Sequence, residues 1–437
     1  MKRTVSMGAI ACAIAMVTAC GDDEAVGPGT GGSSGSGASG GSAGSGGSAG
    51  SGGSAGSGGG TDAGTGGSGG DAGPPPGRLL VAGTDFSSKT EVATVDLTTN
   101  TVTGSVTVND GDAVPAQSSG QGFVLERTHA KLHHLDASGK ISKTIDVGKA
   151  ALGLTGAGST NPVGVTATNG KALVFLNDVN RVAAVDLAAG TVSKTIDLTA
   201  YMAGSDADQS VDATNPVLRS GRAYFLLGRV DRTTVTAPNY QLACPAVPAL
   251  LMAIDVATES LVDLNGSAAG EGIELSLANP VDAAIDIAQD RLLVLSAGCH
   301  AAADGGAARL KHGVESVDLK SGVATTLYAA PNQDFLSRLL VRSSSAALVN
   351  SFDPSYAEHW STWSLSQNTL GAELSGVPTA SSLDGEAHLL GVDIATADAG
   401  TSVTVVRYDI GAQSKTNIVS SPWTGSFTSA AGTALVR

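Results

Sequence analysis

A three-residue step, apolar–Asp–apolar, returns along this chain and constrains its fold more than any other feature. It stands at Val95-Asp96-Leu97, Leu135-Asp136-Ala137, Val185-Asp186-Leu187, Ile254-Asp255-Val256, Val317-Asp318-Leu319 and Tyr408-Asp409-Ile410. Trp363-Ser364-Leu365 fills the remaining gap in register, with Ser in place of Asp. The seven copies are separated by 40, 50, 69, 63, 46 and 45 residues. Self-similarity at such a period marks an array of one supersecondary unit rather than a single irregular sheet.

The clearest copy shows what the unit is. Asn161-Pro162-Val163-Gly164-Val165-Thr166-Ala167, Ala172-Leu173-Val174-Phe175-Leu176, Arg181 to Leu187 and Thr191 to Asp197 are four short β-patterned runs rich in Val, Ile, Leu and Thr, with turn residues between them. The first run recurs at Asn215-Pro216-Val217 and Asn279-Pro280-Val281. The fourth, Ser193-Lys194-Thr195-Ile196-Asp197, recurs at Ser142-Lys143-Thr144-Ile145-Asp146. Seven four-stranded units make an all-β chain, a seven-bladed β-propeller. An eight-bladed ring and a two-sheet sandwich are the alternatives, and a sandwich accounts for no such repeat. A ring must close or leave a bare strand edge. The domain opens at Arg78-Leu79-Leu80-Val81, which matches a second strand, so its missing first strand is expected from the C-terminus. Two segments compete for that slot, Ser426–Ala431 and Thr433–Val436.

These repeats resemble the YVTN/NHL-like family of bacterial seven-bladed propellers, whose third strand is apolar and ends near Val-Asp. The resemblance covers residues 78–437; it implies the architecture and carries no particular function.

Ahead of the repeats lie two other segments. Lys2 and Arg3 precede an uncharged run, Thr4 to Val17, which reads as a signal peptide. It ends in Val17-Thr18-Ala19-Cys20, which resembles the lipobox of bacterial lipoproteins; the resemblance implies removal of residues 1–19 and lipidation of Cys20. The other reading is a secreted protein cut by ordinary signal peptidase near Ala19. With several acyl chains the anchor would be firm. Gly21 is not the aspartate linked to inner-membrane retention, so the expected location is the cell envelope, at the outer membrane, on its periplasmic face or the cell surface. Residues 20–77 form the second segment. They hold 26 of the chain's 59 glycines, in Gly-Ser-Ala units with no apolar face. A coil of this kind is a flexible tether, with a span of roughly 40 Å.

The formal charge of −15 argues against a nucleic-acid partner, because phosphate binding needs clustered Lys and Arg. No apolar run after residue 20 is long enough to span a bilayer. Two long insertions, Arg229 to Ala249 and Gly298 to Gly313, fall between second and third strands of neighbouring blades, hence on one face. Each holds one cysteine, Cys244 and Cys299, and in an exported protein that pair is expected to form a disulfide. Asp206, Asp208 and Asp212 begin like a calcium loop but lack its glycine and final Glu, so Ca2+ is a secondary expectation there and no other cofactor is expected. His129, His133 and His134 cluster in the second repeat, but the last two are adjacent on a strand and point to opposite faces. There is no Gly-x-Ser-x-Gly elbow, P-loop or His-Glu-x-x-His motif. Two functions therefore stand. The first is a monomeric, membrane-anchored binding module taking a protein, glycan or small molecule on its loop-rich face. The second is an exported hydrolase or lyase working at the central channel.

Overall fold

The computed structural model describes residues 77–436 apart from 205–206, 235–241, 267–271, 301–308, 332–333, 398–399, 426 and 428. The expected lipidation at Cys20, the signal peptide and the tether lie outside the described residues.

Seven antiparallel sheets of four consecutive strand positions form the blades, which excludes the eight-bladed ring and the sandwich. The third blade matches the sequence reading almost residue for residue: Pro162–Thr168, Lys171–Leu176, Arg181–Asp186 and Thr191–Asp197. Second and third strands are near-continuous apolar runs because both of their faces are covered. Leu173 and Phe175 pack toward blade 4, while the alternate residues Ala172, Val174 and Leu176 pack toward blade 2. Seven apolar clusters result, one at each contact between neighbouring blades. Fourth strands are edges and carry polar residues outward, as in Ile141–Asp146.

The recurring aspartate caps the turn from third to fourth strand. Asp96 accepts the backbone N–H groups of Thr98 (2.8 Å) and Thr99 (2.9 Å). Asp136, Asp186, Asp255, Asp318 and Asp409 do the same for Ser138, Ala189, Thr258, Ser321 and Ala412. Ser364 uses its hydroxyl for Gln367 N–H at 3.3 Å, so the one departure from the pattern keeps the bond. Each turn then needs one left-handed residue: Asn100, Gly139, Gly190, Glu259, Gly322, Asn368 and Gln413. Backbone N–H groups hold Asp96, Asp255 and Asp318 below the usual carboxylate pKa, and for Asp136 the Ser138 hydroxyl leads, followed by the Lys140 N–H.

The ring closes as expected from the C-terminus, and the two competing segments merge into one strand. Ser429–Val436 takes the first position of blade 1 against Arg78–Thr84, running from Leu79↔Leu435 to Thr84↔Ser429 with one register shift between Ala82 and Gly83. The approach to that strand is latched. Trp423, almost fully buried, donates its indole N–H to Val81 O at 2.9 Å. Buried Glu91, on the third strand Thr90–Asp96, accepts the backbone N–H of Thr424 (3.0 Å) and Gly425 (3.1 Å) and the Thr424 hydroxyl. Gly83 is required here, since a Cβ on it would sit 2.5 Å from the Trp423 ring.

Replacing Trp423 with Ala removes the latch and leaves a cavity between the first and last blades. We expect a loss of about 3–5 kcal/mol, read as a lowered denaturant midpoint. An unchanged midpoint would mean that closure does not depend on this contact.

Candidate ligand-binding face

Strands alternate in direction, so links between second and third strands and links between blades emerge on the same face. The described residues of the long segments 228–249 and 297–312, and of the 198–216 link between blades 3 and 4, lie there. A cavity of about 1130 Å³ fills the centre of the ring at this face. First strands form its wall, and its rim takes Phe86, Arg127, Asn177, Arg232 and Phe352 from the second-to-third-strand links and strand ends.

The charged groups of the wall are mostly held by the scaffold. Asp282, on the first strand Pro280–Asp286 of blade 5, accepts Ala283 N–H at 2.9 Å and, with its other oxygen, Leu339 N–H at 2.8 Å from the first strand Phe335–Val341 of blade 6. Burial pushes its pKa up to about 6, against the pull of those N–H groups and of the Arg338 guanidinium. Glu358 accepts Asn350 Nδ2 and Trp360 Nε1, both at 3.0 Å. Arg127 donates to Asn161 Oδ1 (3.0 Å) and Asp112 Oδ1 (3.1 Å). Arg338 differs: it lines the cavity, its guanidinium makes no hydrogen bond among the described residues, and it acts on Asp282 through its charge.

The two insertions are joined where the sequence reading joined them. Cys244 and Cys299 form a disulfide with Cα atoms 4.8 Å apart. Backbone bonds flank it: His300 N–H to Leu242 O (2.8 Å) and Cys244 N–H to His300 O (2.9 Å). Cys299–His300 pairs with Arg309–Leu310 as a small hairpin, and Arg309 lies 5.4 Å from the centre of the Phe335 ring. Leu242, Cys299, His300 and His312 are buried, so the described parts of the joined segments share a small packed base.

Of the three aspartates considered for calcium, Asp206 lies outside the described residues. Asp208 accepts Ser210 N–H (2.9 Å) and Arg232 N–H (2.8 Å). Asp212 accepts Val230 N–H (2.8 Å) and Arg232 Nε (2.6 Å), and burial raises its pKa. Both therefore tie the 198–216 link to the 228–249 insertion. His133 and His134 diverge as the strand period requires: His133 is buried with Nδ1 at 2.9 Å from Thr144 Oγ1, and His134 stacks on Phe123 with ring centres 5.2 Å apart. His129 instead meets Asp110 and Glu126. Those two carboxylates, like Asp282 and Arg338, are absent from the sequence reading. Asp282 had a usable signal: in the recurring Asn-Pro-Val start it stands where the third repeat has Gly164, a residue of the same wall.

No protein-family model matches the chain, and no curated protein does. Among solved structures it is similar to a candidate 6-phosphogluconolactonase of Bacteroides fragilis (10% identity, TM-score 0.50, 83% of this chain and 99% of that one). It is also similar to dihydro-heme d1 dehydrogenase NirN in complex with DHE (12%, 0.48, 83% and 75%). A third is apo AztD from Citrobacter koseri (12%, 0.42, 83% and 98%). At 10% identity the first likeness establishes a shared fold alone.

Two outcomes follow from this face. Replacing both Cys244 and Cys299 with Ser should keep the blades but cost up to about 4 kcal/mol for a closed loop of 55 residues. Thermal melts before and after reduction would read it, and equal melting temperatures would show that the backbone bonds suffice. Asp282 gives a pH signature. Its folded pKa of about 6 lies above the unfolded value near 3.8, so its contribution favours the fold below pH 4 and is lost as pH rises toward 6. Asn cannot ionise, so the stability of Asp282→Asn should rise relative to the parent's as pH goes from 4 to 7, whatever the fixed cost of replacing one acceptor oxygen. Parallel melting curves across that range would contradict it.

Proposed function

We propose that this chain is a membrane-anchored binding module of the bacterial cell envelope. Removal of residues 1–19 leaves Cys20 to be lipidated, residues 20–77 act as tether, and the propeller of residues 78–437 presents its loop-rich face at or beyond the outer membrane. The observation that carries the binding reading is the cavity on that face: its carboxylates are engaged by the scaffold's own N–H groups, while the Arg338 guanidinium is left to a ligand. A guanidinium without a protein hydrogen bond suits a carboxylate or phosphate, so the ligand carries an anionic group. Long links on a rigid ring are the usual seat of recognition.

The second reading, an exported hydrolase or lyase, has Asp282 in its favour, since a carboxyl group with a pKa of about 6 is poised for proton transfer. Against it, both Asp282 oxygens already accept backbone N–H groups, and no histidine lines the described cavity wall.

Two measurements test the proposal. Cys20→Ala should move the protein from the membrane fraction to the soluble one and abolish fatty-acid labelling; undiminished labelling would end the anchor. In calorimetric titrations with citrate and with inorganic phosphate, the parent should bind at least one, and Arg338→Ala should weaken it tenfold or more. Equal affinity in both proteins, or binding of neither probe, would remove Arg338 as the anchor of the site.

A further inference from the structure

Beside the channel, the inner half of blade 2 gathers a separate set of polar groups. Asp110 comes from the link between blades 1 and 2, Glu126 ends the second strand Gln121–Glu126, and His129 lies in the turn that follows. One donor atom from each lies within 4.8 Å of the others. His129 Nδ1 is 3.7 Å from Asp110 Oδ2 and 3.8 Å from Glu126 Oε2. The Asp110 side chain is fully buried and that of Glu126 nearly so, whereas His129 is half exposed.

Two carboxylates this close in a dry place repel and need a compensating cation. Besides His129, the nearby bases act on Glu126 and not on Asp110. Arg127 is turned to Asp112 and Asn161, and Lys131 Nζ stands 3.9 Å from Glu126 Oε2. Asp110 is positioned by backbone donors: Asp112 N–H at 2.8 Å and Thr128 N–H at 2.9 Å. The Thr128 contact fixes the turn that carries His129. An independent observation concerns His133, only 5% exposed. Its Nδ1 meets Thr144 Oγ1, while its Nε2 lies 3.0 Å from Glu126 Oε1 and completes no hydrogen bond. A buried imidazole nitrogen thus faces a carboxylate of the cluster at 3.0 Å without reaching hydrogen-bond geometry.

We propose that Asp110, Glu126 and His129 bind a divalent transition-metal ion, with Zn2+ the best match. An imidazole with two carboxylates suits zinc and its neighbours, while calcium takes oxygen ligands only. In a tetrahedral site with bonds of about 2.1 Å, ligand atoms are about 3.4 Å apart. The 3.7 and 3.8 Å from His129 lie within about 0.4 Å of that spacing, and the Asp110 and Glu126 donor atoms, within 4.8 Å of each other, would draw together around the ion. The ion would neutralise the buried pair, and His133 would orient Glu126 from behind as a positioning residue. Three protein ligands leave one coordination position for water or for a donor from a ligand.

The test uses the full-length chain, carrying Cys12→Ala and Cys20→Ala so that no free thiol competes. It is stripped with chelator and titrated with Zn2+ alone. One equivalent should bind and raise the melting temperature. His129→Ala, an exposed turn substitution that leaves the fold intact, should lose that equivalent, and Glu126→Gln should weaken it at least tenfold. His134→Ala, outside the cluster, should match the parent. Zn2+ stoichiometry and affinity in His129→Ala equal to the parent's would overturn the proposal. So would a parent that responds to Ca2+ and not to Zn2+.

Discussion

The propeller depends on one non-covalent seam. Six of the seven blades take their strands from one stretch of chain, but the first must borrow Ser429–Val436 from the far end. Every inter-blade core assumes that the ring stays shut, because an open ring exposes two apolar blade faces and a bare strand edge. The seam combines a ladder of backbone bonds with Trp423 wedged over Gly83 and with Glu91 gathering the donors of the approaching segment. Buried carboxylates are costly unless satisfied, and Glu91 meets that condition with the backbone N–H groups of Thr424 and Gly425 and the Thr424 hydroxyl. Glu315 repeats the device between blades 4 and 5, where it accepts Ser276 N–H and Leu277 N–H.

The repeats provide symmetry, and the chemistry sits where they depart from it. Third-to-fourth-strand turns are nearly interchangeable, each an Asp or Ser cap followed by a left-handed residue. On the opposite face the links vary in length and content. There the insertions of blades 4 and 5 are joined by Cys244–Cys299, Arg338 enters the cavity, and Asp110 meets His129. A rigid ring can carry such variation because its stability comes from the inter-blade cores rather than from the links.

Burial and hydrogen bonding oppose each other at the carboxylates, and a different one wins at the turns and in the channel wall. At the exposed turns, hydrogen bonds hold Asp96, Asp255 and Asp318 low, so their contribution to stability is present above the unfolded pKa near 3.8 and falls away in acid. In the channel wall, desolvation outweighs two N–H bonds and lifts Asp282 to about 6. The outer rim is therefore acid-sensitive, while the wall carries a group that titrates closer to neutrality.

What the sequence determined by itself was everything governed by short range. Strand alternation, the capping aspartate and its Ser364 replacement, the Asn-Pro-Val strand start and the pairing of insertions between adjacent blades depend on residues a few positions apart or on counting repeats. These were enough for the four-stranded blade, the seven-fold ring and the cysteine pair. The tertiary structure decided what depends on convergence between separate strands. It merged two competing C-terminal segments into one strand by giving each half of that strand a partner on Arg78–Thr84. It placed the Asp282 carboxylate on the N–H of Leu339, 57 residues away, and the Glu91 carboxylate on Thr424, 333 residues away. It also brought Asp110 beside His129 across a link and a turn. No local pattern encodes such meetings, because each is fixed by the radial packing of neighbouring blades and by which side chains that packing shields from water.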